Sequence, residues 1–308
     1  MASVSIILCT YNSESYIRTL VDSILDNDLA DFELLVQDDC STDSTIPILR
    51  SYKDERVKIR VNEKPSGSAA MNFMSALLKQ ETAPYIMFAD ADDFWEKDKI
   101  RKTYDLMKKT ESSFGSNIPI LVHTDLSVVG SDLEPISPSL WTYEKISPER
   151  TKLNQLLAQN NVTGCTVMIN SALKDLIPSV PASFVMHDWW FALCASAFGK
   201  IAFLREPTMR YRQHGDNSVG AYDAGSLSAS AKKLANKEKV RRIYDSMFAQ
   251  AECFAEYYKD HLSDEQFKTC KAYGSLLKKP LLAKWATVIR YGFWKNTLIR
   301  NLGQFLAI

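Results

Sequence analysis

Three neighbouring aspartates follow an apolar run in the first third of the chain. Asp90, Asp92 and Asp93 come directly after residues 86–89. Carboxylates crowded at the end of a buried strand repel one another unless a cation or hydrogen-bond donors neutralise them. Mg2+ or Mn2+ takes one or two carboxylates and completes its coordination with water and phosphate oxygens. Alternatively, Asp92 or Asp93 caps a helix that begins near Trp95, and these residues alone leave both interpretations open.

A second acidic pair, Asp38 and Asp39, follows an earlier apolar run. A carboxylate at a strand end can accept a hydrogen bond from a nucleotide base or a ribose hydroxyl. The alternative is a turn and a helix N-cap, a role that suits Thr42 or Asp43. The sequence has no glycine-rich phosphate-binding loop after its first apolar run, so a metal would have to neutralise any bound phosphates.

Asp188 lies in a stretch of aromatic residues. It stands between His187 and the pair Trp189 and Trp190. An aspartate flanked by tryptophans is partly desolvated, which raises its basicity. The two tryptophans offer flat apolar faces on which a ring-shaped ligand could stack. The alternatives are a helix N-cap for Asp188 and core packing for either tryptophan.

His187 and His214 are the two candidate functional histidines, and His214 has the more polar surroundings. We expect the polar stretch 211–217 to be a loop, in which Arg210 and Arg212 bring positive charge near His214 and Gly215 permits close approach. Our hypothesis is that His214 is a further metal ligand and that Arg212 pairs with the oxygens of a bound phosphate. A hydrogen-bonded structural histidine is the alternative.

The elements that must position these residues follow from the periodicity. The first 130 residues alternate short apolar runs with helix-period segments, which predicts an α/β fold with an open, mostly parallel sheet flanked by helices. The predicted strands are 4–9, 32–36, 57–61, 85–89, 120–122 and, later in the chain, 162–169. Ligands bind beyond the carboxyl ends of such strands, which is where the acidic residues stand. Residues 131–150 contain three prolines and predict a loop.

Composition limits the class of protein. The chain has 308 residues, 46% of them apolar and 24% charged, which suits one large domain or a domain with an appendage and excludes extensive disorder. The first basic residue is Arg18, so the apolar opening is expected to be a strand and not a signal peptide. Six widely spaced cysteines fit a reducing, cytoplasmic setting. No apolar stretch reaches the length of about 18 residues that a membrane span needs.

The C-terminal stretch is basic and aromatic. Residues 271–308 carry seven cationic side chains and no acid, so the first 270 residues carry a net charge of −7. Residues 278–308 can lie at the surface of an anionic membrane, which would place a cytoplasmic protein at the inner face of the cell membrane. Alternatively, this stretch packs on the rest of the chain or on a second subunit in a homodimer. We expect no nucleic-acid partner, because basic residues concentrate in this stretch without a recognition motif.

Three motifs together resemble family 2 glycosyltransferases. They are SIILCTYN at 5–12, DDCSTDST at 38–45 and FADADDFW at 88–95, in that order. The resemblance covers about residues 3–220. It implies a GT-A fold with a Rossmann-like sheet, a nucleotide-diphosphate sugar donor, Mn2+ or Mg2+, and inversion at the anomeric carbon. The domain limits that follow are 1–225 for the glycosyltransferase domain and 226–308 for a helical region.

The resemblance also implies residue roles. Tyr11 and Asp39 match the positions that hold the nucleotide base and ribose, and Thr10 and Asn12 belong to the same motif. The remaining matches are Asp90 and Asp92 at the outer positions of the DXD motif, with Asp92 as direct metal ligand, Asn72 in the donor site, and Asp188 as the base that takes the proton of the attacking hydroxyl. In that reaction His214 and Arg212 would face the donor diphosphate. Trp189 and Trp190 would stack on the acceptor sugar. Met71 stands where many relatives have an arginine. That difference removes a guanidinium contact to the base or phosphate.

Within the family, the residues 90–95, 187–190 and 211–217 most resemble bacterial rhamnosyltransferases of surface-polysaccharide assembly. The expected reaction moves a sugar, rhamnose first among candidates, from a dTDP- or UDP-linked donor to a hydroxyl of a glycan or a polyprenyl-linked glycan. One alternative is a glucosyl- or galactosyltransferase acting on a glycan or glycoprotein. Another is a non-catalytic glycan-binding subunit. A sugar nucleotidyltransferase should instead carry a Gly-rich, Arg-bearing loop where residues 10–12 stand.

Overall fold

The computed structural model describes residues 2–80, 83–215, 221 and 237–308. Internal contacts divide the chain into two compact units. The first comprises Met1–Leu140, Val162–Val180 and Lys200–Ala221, and the second comprises Trp141–Asn161, Pro181–Gly199 and Tyr222–Ile308. The second unit thus includes two segments that precede the predicted domain limit. That limit, between residues 225 and 226, lies outside the described residues.

The first unit contains a mixed sheet. Its described strands are β1 (Val4–Thr10), β2 (Phe32–Asp38), β3 (Val57–Val61), β4 (Tyr85–Asp90), β5 (Phe94–Trp95), β6 (Ile120–Val129), β7 (Pro135–Ser137), β8 (Val167–Asn170) and β9 (Lys200–Arg212). They lie in the order β3, β2, β1, β4, β8, β6, β9, β5, and β7 pairs with β6. The first four are parallel, as predicted. Beyond them β8 runs antiparallel to β4 and β6, so the sheet as a whole is mixed.

The described helices of the whole chain are α1 (Ile17–Leu25), α2 (Thr45–Arg50), α3 (Ala69–Leu78), α4 (Lys99–Phe114), α5 (Leu140–Tyr143), α6 (Leu153–Ala158), α7 (Ser171–Asp175), α8 (His187–Phe198), α9 (Lys237–Tyr257), α10 (Asp264–Gly274), α11 (Leu281–Tyr291) and α12 (Leu298–Ala307). Short 3-10 turns cover Gly164–Thr166 and Leu276–Lys278. None of the described helices is long and apolar enough to cross a membrane.

The parallel register brings the predicted site residues to one sheet edge. Every residue of β1 is buried, as expected of a central parallel strand covered on both faces. The α1 helix packs with an apolar stripe that includes Leu20, Val21 and Ile24. At the end of β1, Thr10 pairs with Asp38 of β2, and the preceding residue pairs with Asp90 of β4. The acidic residues therefore meet at the carboxyl ends of adjacent strands.

Two expectations need correction. The stretch before His214 is not a loop, because Arg210 and Arg212 belong to the 13-residue strand β9. The strand was missed because charged residues and Pro207 interrupt its apolar pattern, and its pairing with β6 shifts register at that proline. The predicted loop 131–150 contains β7 and α5.

The second unit is helical in the residues that the structure describes. Its core is aromatic: the Trp190 ring lies 5.2 Å from that of Phe254, and the Tyr273 ring lies 4.8 Å from that of Phe293. All of these side chains are almost completely buried. Burial of large aromatic rings is the main source of stability for such a unit.

Candidate active site

The acidic turn after β4 does not cap a helix. Asp90 ends β4, and Asp92 and Asp93 lie in the turn before β5. The next helix, α4, begins only at Lys99. The alternative in which Asp92 or Asp93 caps a helix near Trp95 is therefore wrong.

Asp92 and His214 form a pair, although 122 residues separate them in the sequence. The Asp92 Oδ2 atom lies 2.8 Å from the His214 Nε2 atom. Their side chains are 21% and 13% exposed, so both remain within reach of a ligand. Antiparallel pairing of β5 with β9, which sets Phe94 opposite Arg210, brings the two segments together.

Arg212 fixes the backbone of Asp92 by a hydrogen bond. It is 4% exposed, and its Nε atom donates to the backbone carbonyl of Asp92 at 2.7 Å. A terminal guanidinium nitrogen donates to the carbonyl of Ser131. The guanidinium also lies 4.7 Å from the ring centroid of Tyr16, which in turn lies 4.9 Å from that of His214. These contacts orient the acidic turn, and phosphate pairing by Arg212 stays a prediction.

Two aspartates of this turn and a cysteine form a second cluster. Ligand atoms of Asp90, Asp93 and Cys165 all lie within 4.8 Å of one another. Burial, together with the charges of Asp92 and Asp90, raises the pKa of Asp93 well above its usual range. Burial and the nearby Asp93 and Asp90 also raise the pKa of the Cys165 thiol. A cation at this turn would oppose these shifts, because positive charge favours the ionised forms.

Lys99 is a buried cation that sequence reasoning missed. The side chain has no exposed surface, and its Nζ atom donates to Thr208 Oγ1 at 3.3 Å. The same atom lies 4.8 Å from the ring centroid of Trp95. Burial lowers the pKa of Lys99 to about 8, against the opposing effect of Cys165 and Asp93. No sequence signal distinguished this lysine, because it opens a helix rich in exposed charges.

The end of β2 is held by a separate network. Asp38 accepts hydrogen bonds from Thr10 Oγ1 at 2.8 Å and from the backbone N–H of Ser41 at 2.8 Å. Asp39 accepts from Asn62 Nδ2 and from the backbone N–H of Ser66, each at 2.7 Å. Each carboxylate therefore accepts at least two hydrogen bonds, which fix its orientation.

Thr10 and Asn72 support this network from the interior. Both are nearly buried, with 2% and 3% exposure. The Asn72 Oδ1 atom accepts from Asn62 Nδ2 at 3.0 Å, so it positions the amide that holds Asp39. Direct contact of Thr10 or Asn72 with the sugar-nucleotide donor stays a prediction, because the hydrogen bonds described here join protein groups to one another.

Tyr11 and Asn12 line the loop after β1. The Tyr11 side chain is 61% exposed, and the carbonyl of Thr10 before it accepts from the N–H of Asp39 at 2.8 Å. An open aromatic ring thus stands next to an oriented carboxylate, as base and ribose binding require. Asn12 adopts a left-handed φ of 46°, and its Oδ1 accepts from the N–H of Thr42 at 2.9 Å.

Asp188 lies in the second unit, in the first turn of α8. The N-cap residue of this helix is Met186, so Asp188 is not the cap. Its carboxylate is 8% exposed and accepts from the N–H of Trp189 at 2.6 Å. Burial lowers the pKa of the adjacent His187 to about 3, which keeps that imidazole neutral. Asp188 as base stays a prediction.

The two tryptophans differ. Trp190 has no exposed surface and packs against Phe254 and Tyr258, so it has no face to offer an acceptor sugar. Its assignment to acceptor binding is therefore wrong. Trp189 is 9% exposed, and its indole N–H donates to the carbonyl of Leu156 at 2.7 Å. Acceptor contact by Trp189 stays a prediction.

The donor set of the acidic turn fits a divalent cation. Asp92 offers carboxylate oxygens and His214 an imidazole nitrogen at one partly exposed point, a combination that Mn2+ accepts and to which Mg2+ can bind through the carboxylate. The predicted nucleotide contacts, Asp39 and Tyr11, directly follow the adjacent strands β2 and β1. Binding of a nucleotide diphosphate through a metal at this edge stays a prediction.

Comparison with known sequences gives a consistent result. The profile of "Glycosyl transferase family 2" matches residues 5–177. One relative is TuaG of Bacillus subtilis, which its name assigns to teichuronic acid biosynthesis as a glycosyltransferase; it is 33% identical over 83% of this chain and 95% of its own. The dTDP-rhamnosyl transferase RfbG of Shigella flexneri is 28% identical over 70% of this chain and 74% of its own.

The name of a third relative includes a lipid-linked acceptor. It is the UDP-Glc:alpha-D-GlcNAc-diphosphoundecaprenol beta-1,3-glucosyltransferase WfgD of Escherichia coli, 29% identical over 56% of this chain and 62% of its own.

Two solved structures share the fold. Residues 1–349 of Staphylococcus aureus TarS, in complex with UDP-GlcNAc, align with a TM-score of 0.57 at 18% identity over 98% of this chain and 90% of that one. The mannosyltransferase PcManGT of Pyrobaculum calidifontis, in complex with GDP-Man and Mn2+, aligns with a TM-score of 0.51 at 16% identity over 99% and 84%.

Proposed function

Because the chain belongs to glycosyltransferase family 2 and has the GT-A fold, we propose that it transfers a sugar from a nucleotide-diphosphate donor to a hydroxyl of a surface glycan, with Mn2+ or Mg2+ and with inversion at the anomeric carbon. One observation carries this proposal. The Asp92 carboxylate and the His214 imidazole approach to 2.8 Å at the carboxyl end of β4, at the same sheet edge as Asp39.

The donor is held by residues of the first unit. Asp92 and His214 hold the metal, which supplies positive charge to the diphosphate leaving group when it is bound. Arg212 keeps the turn in place through the Asp92 carbonyl. Asp39 accepts a hydrogen bond from the ribose, and the exposed ring of Tyr11 stacks on the base.

Asp188 acts as the base in this proposal. Its carboxylate takes the proton of the acceptor hydroxyl, and the oxygen of that hydroxyl forms the new bond to the anomeric carbon. The bond from that carbon to the phosphate oxygen breaks, and the nucleoside diphosphate leaves with the electron pair. Attack on the face opposite the leaving group inverts the configuration. The 8% exposure of Asp188 suits a base whose charged form is poorly solvated.

The relatives suggest the donor and the acceptor. The name of RfbG supports dTDP-rhamnose as donor, and the name of WfgD supports a glycan on a polyprenyl diphosphate as acceptor. We place the protein at the cytoplasmic face of the cell membrane, where such an acceptor is presented. A UDP-glucose-dependent hexosyltransferase is the second candidate, because WfgD uses that donor.

Thermal stabilisation by nucleotides tests the donor site. Ligands that bind only the folded state raise its unfolding midpoint. We expect UDP or dTDP, but not GDP or CMP, to raise Tm in the presence of Mn2+. Asp92→Asn should lose the metal-dependent shift. Asp98→Asn is the matched control, because Asp98 is an exposed aspartate that pairs with Lys102.

A transfer assay tests the reaction. The purified chain, with dTDP-rhamnose or UDP-glucose, should extend a synthetic GlcNAc-diphosphate-polyprenol, and NMR of the product should show the inverted anomer. A chain that neither binds a nucleotide nor transfers sugar would instead support the non-catalytic glycan-binding subunit.

A further inference from the structure

Two C-terminal helices expose large apolar side chains at the same spacing. On each helix these side chains stand at positions i, i+1, i+4 and i+8, which is one face of a helix. On α11 they are Leu281, Leu282, Trp285 and Ile289, and on α12 they are Leu298, Ile299, Leu302 and Leu306. Leu282, Leu298 and Leu306 are 76%, 82% and 85% exposed. So dense a set of exposed leucines on a folded chain marks a binding surface.

The opposite faces of the same helices are fixed by packing. Val288 of α11 and Gln304 of α12 have no exposed surface, and the Gln304 side chain donates to the carbonyl of Phe293 at 2.8 Å. The Trp285 indole N–H donates to the carbonyl of Phe305 at 3.3 Å, which links α11 to α12. The exposed stripes therefore belong to docked helices whose inner faces are already used.

Charge identifies what covers these stripes. Residues 271–308 carry seven cationic side chains and no acid, and three of the seven, Lys271, Lys278 and Arg300, pair with glutamates of the same unit. Arg290 is exposed beside the α11 stripe, and Lys284 is half-buried, with Nζ 3.1 Å from the carbonyl of Ile308. A second copy of the chain on this face would bring two cationic surfaces together, since a two-fold interface uses the same patch on both subunits. An anionic surface has the opposite charge.

We propose that α11 and α12 form a lipid-binding surface that lies in the interface of an anionic phospholipid membrane. The leucines and Trp285 enter the boundary between headgroups and acyl chains, while Arg290 and Lys284 remain at the level of the phosphates. The purpose of this surface, delivery of the enzyme to a polyprenyl-linked acceptor, rests on the proposed function. The binding itself does not, because it requires no catalysis.

Flotation of the full chain with vesicles tests this surface. We expect binding to vesicles that contain phosphatidylglycerol, at least tenfold weaker binding to pure phosphatidylcholine, and a loss of binding as salt is raised from 0.1 to 0.5 M. The double variant Leu302→Gln and Leu306→Gln should bind at least tenfold more weakly. Both side chains are exposed, so its Tm should match that of the wild type.

The control is a double variant in the first unit, Phe114→Gln and Ile136→Gln, whose side chains are 52% and 48% exposed. It should float like the wild type. Equal flotation of the Leu302 and Leu306 variant would overturn the proposal. So would a wild-type dimer in light scattering that fails to float and becomes monomeric in that variant. An unchanged nucleotide-induced Tm shift in the variant separates this test from that of the donor site.

Discussion

Each unit contains side chains whose exposure is unusual for their type: the first unit shields carboxylates from water, and the second exposes leucines. At the strand ends of the first unit, Asp39 is 8% exposed and the side chain of Asp92 21%, although carboxylates favour water. In the second unit, Leu306 is 85% exposed, although leucine favours the interior. Hydrogen bonds to other residues orient the two carboxylates, whereas the exposed leucines do not contribute to the core. We interpret both sets of side chains as binding surfaces, one polar and one apolar.

The largest expected effect is on the polar surface. Asp92→Asn should reduce kcat/KM for sugar transfer by about 10⁴-fold, because a metal-held leaving group is worth several kcal/mol and each tenfold corresponds to about 1.4 kcal/mol. Steady-state assays over a range of Mn2+ concentrations measure this loss. The control Asp98→Asn should stay within about twofold of the wild type. Equal losses of kcat/KM in the two variants would contradict a specific role for Asp92.

The variant Asp188→Asn tests the proposed base. We expect kcat to fall by about 10³-fold, as loss of a general base does, while the nucleotide-induced Tm shift is kept. Paired kinetic and thermal measurements on one preparation decide this. If donor binding disappears together with activity, Asp188 does not have a role separate from the donor site.

Two aromatic substitutions sharpen the contrast between an interior and an open ring. Trp190→Ala should lower the free energy of unfolding by about 3 to 5 kcal/mol, because the ring is fully buried among other aromatics. Tyr11→Ala should change it by less than about 0.5 kcal/mol and should weaken nucleotide binding instead. Urea unfolding and titration with UDP or dTDP measure the two effects. A stability loss for Tyr11→Ala as large as that for Trp190→Ala would contradict the open ring.

The smallest effect is one that both units share. Burial lowers the pKa of His123 in the first unit and of His187 in the second to about 3. The unfolded chain binds these protons near pH 6.5 and the folded chain does not, so stability falls as pH drops from about 6.5 toward 3. At pH 5 each histidine should cost about 2 kcal/mol relative to pH 7.

Urea unfolding of His123→Phe and His187→Phe at pH 7 and pH 5 measures this cost. Each variant should show a smaller loss between the two pH values than the wild type. An identical pH dependence in all three proteins would mean that folding does not lower the pKa of either imidazole.

Local patterns were sufficient for the parallel half of the sheet. The strands β1 to β4 were predicted within one or two residues of their ends, because each is an apolar run bounded by polar residues. The motif residues then fell at the carboxyl ends without further information, since parallel strands end at one edge. The strand β9 escaped prediction, because charges and Pro207 mask its period.

The sequence by itself determined the family, the central strands and the acidic residues at their ends, because these depend on neighbours within about ten positions. Only the tertiary structure decided which distant groups meet. It placed His214 against Asp92, buried Lys99 near the acidic turn, and enclosed Trp190. The physical reason is that hydrophobic period reports local chain geometry, whereas the burial and pairing of a side chain depend on strand register and on helices far away in the chain.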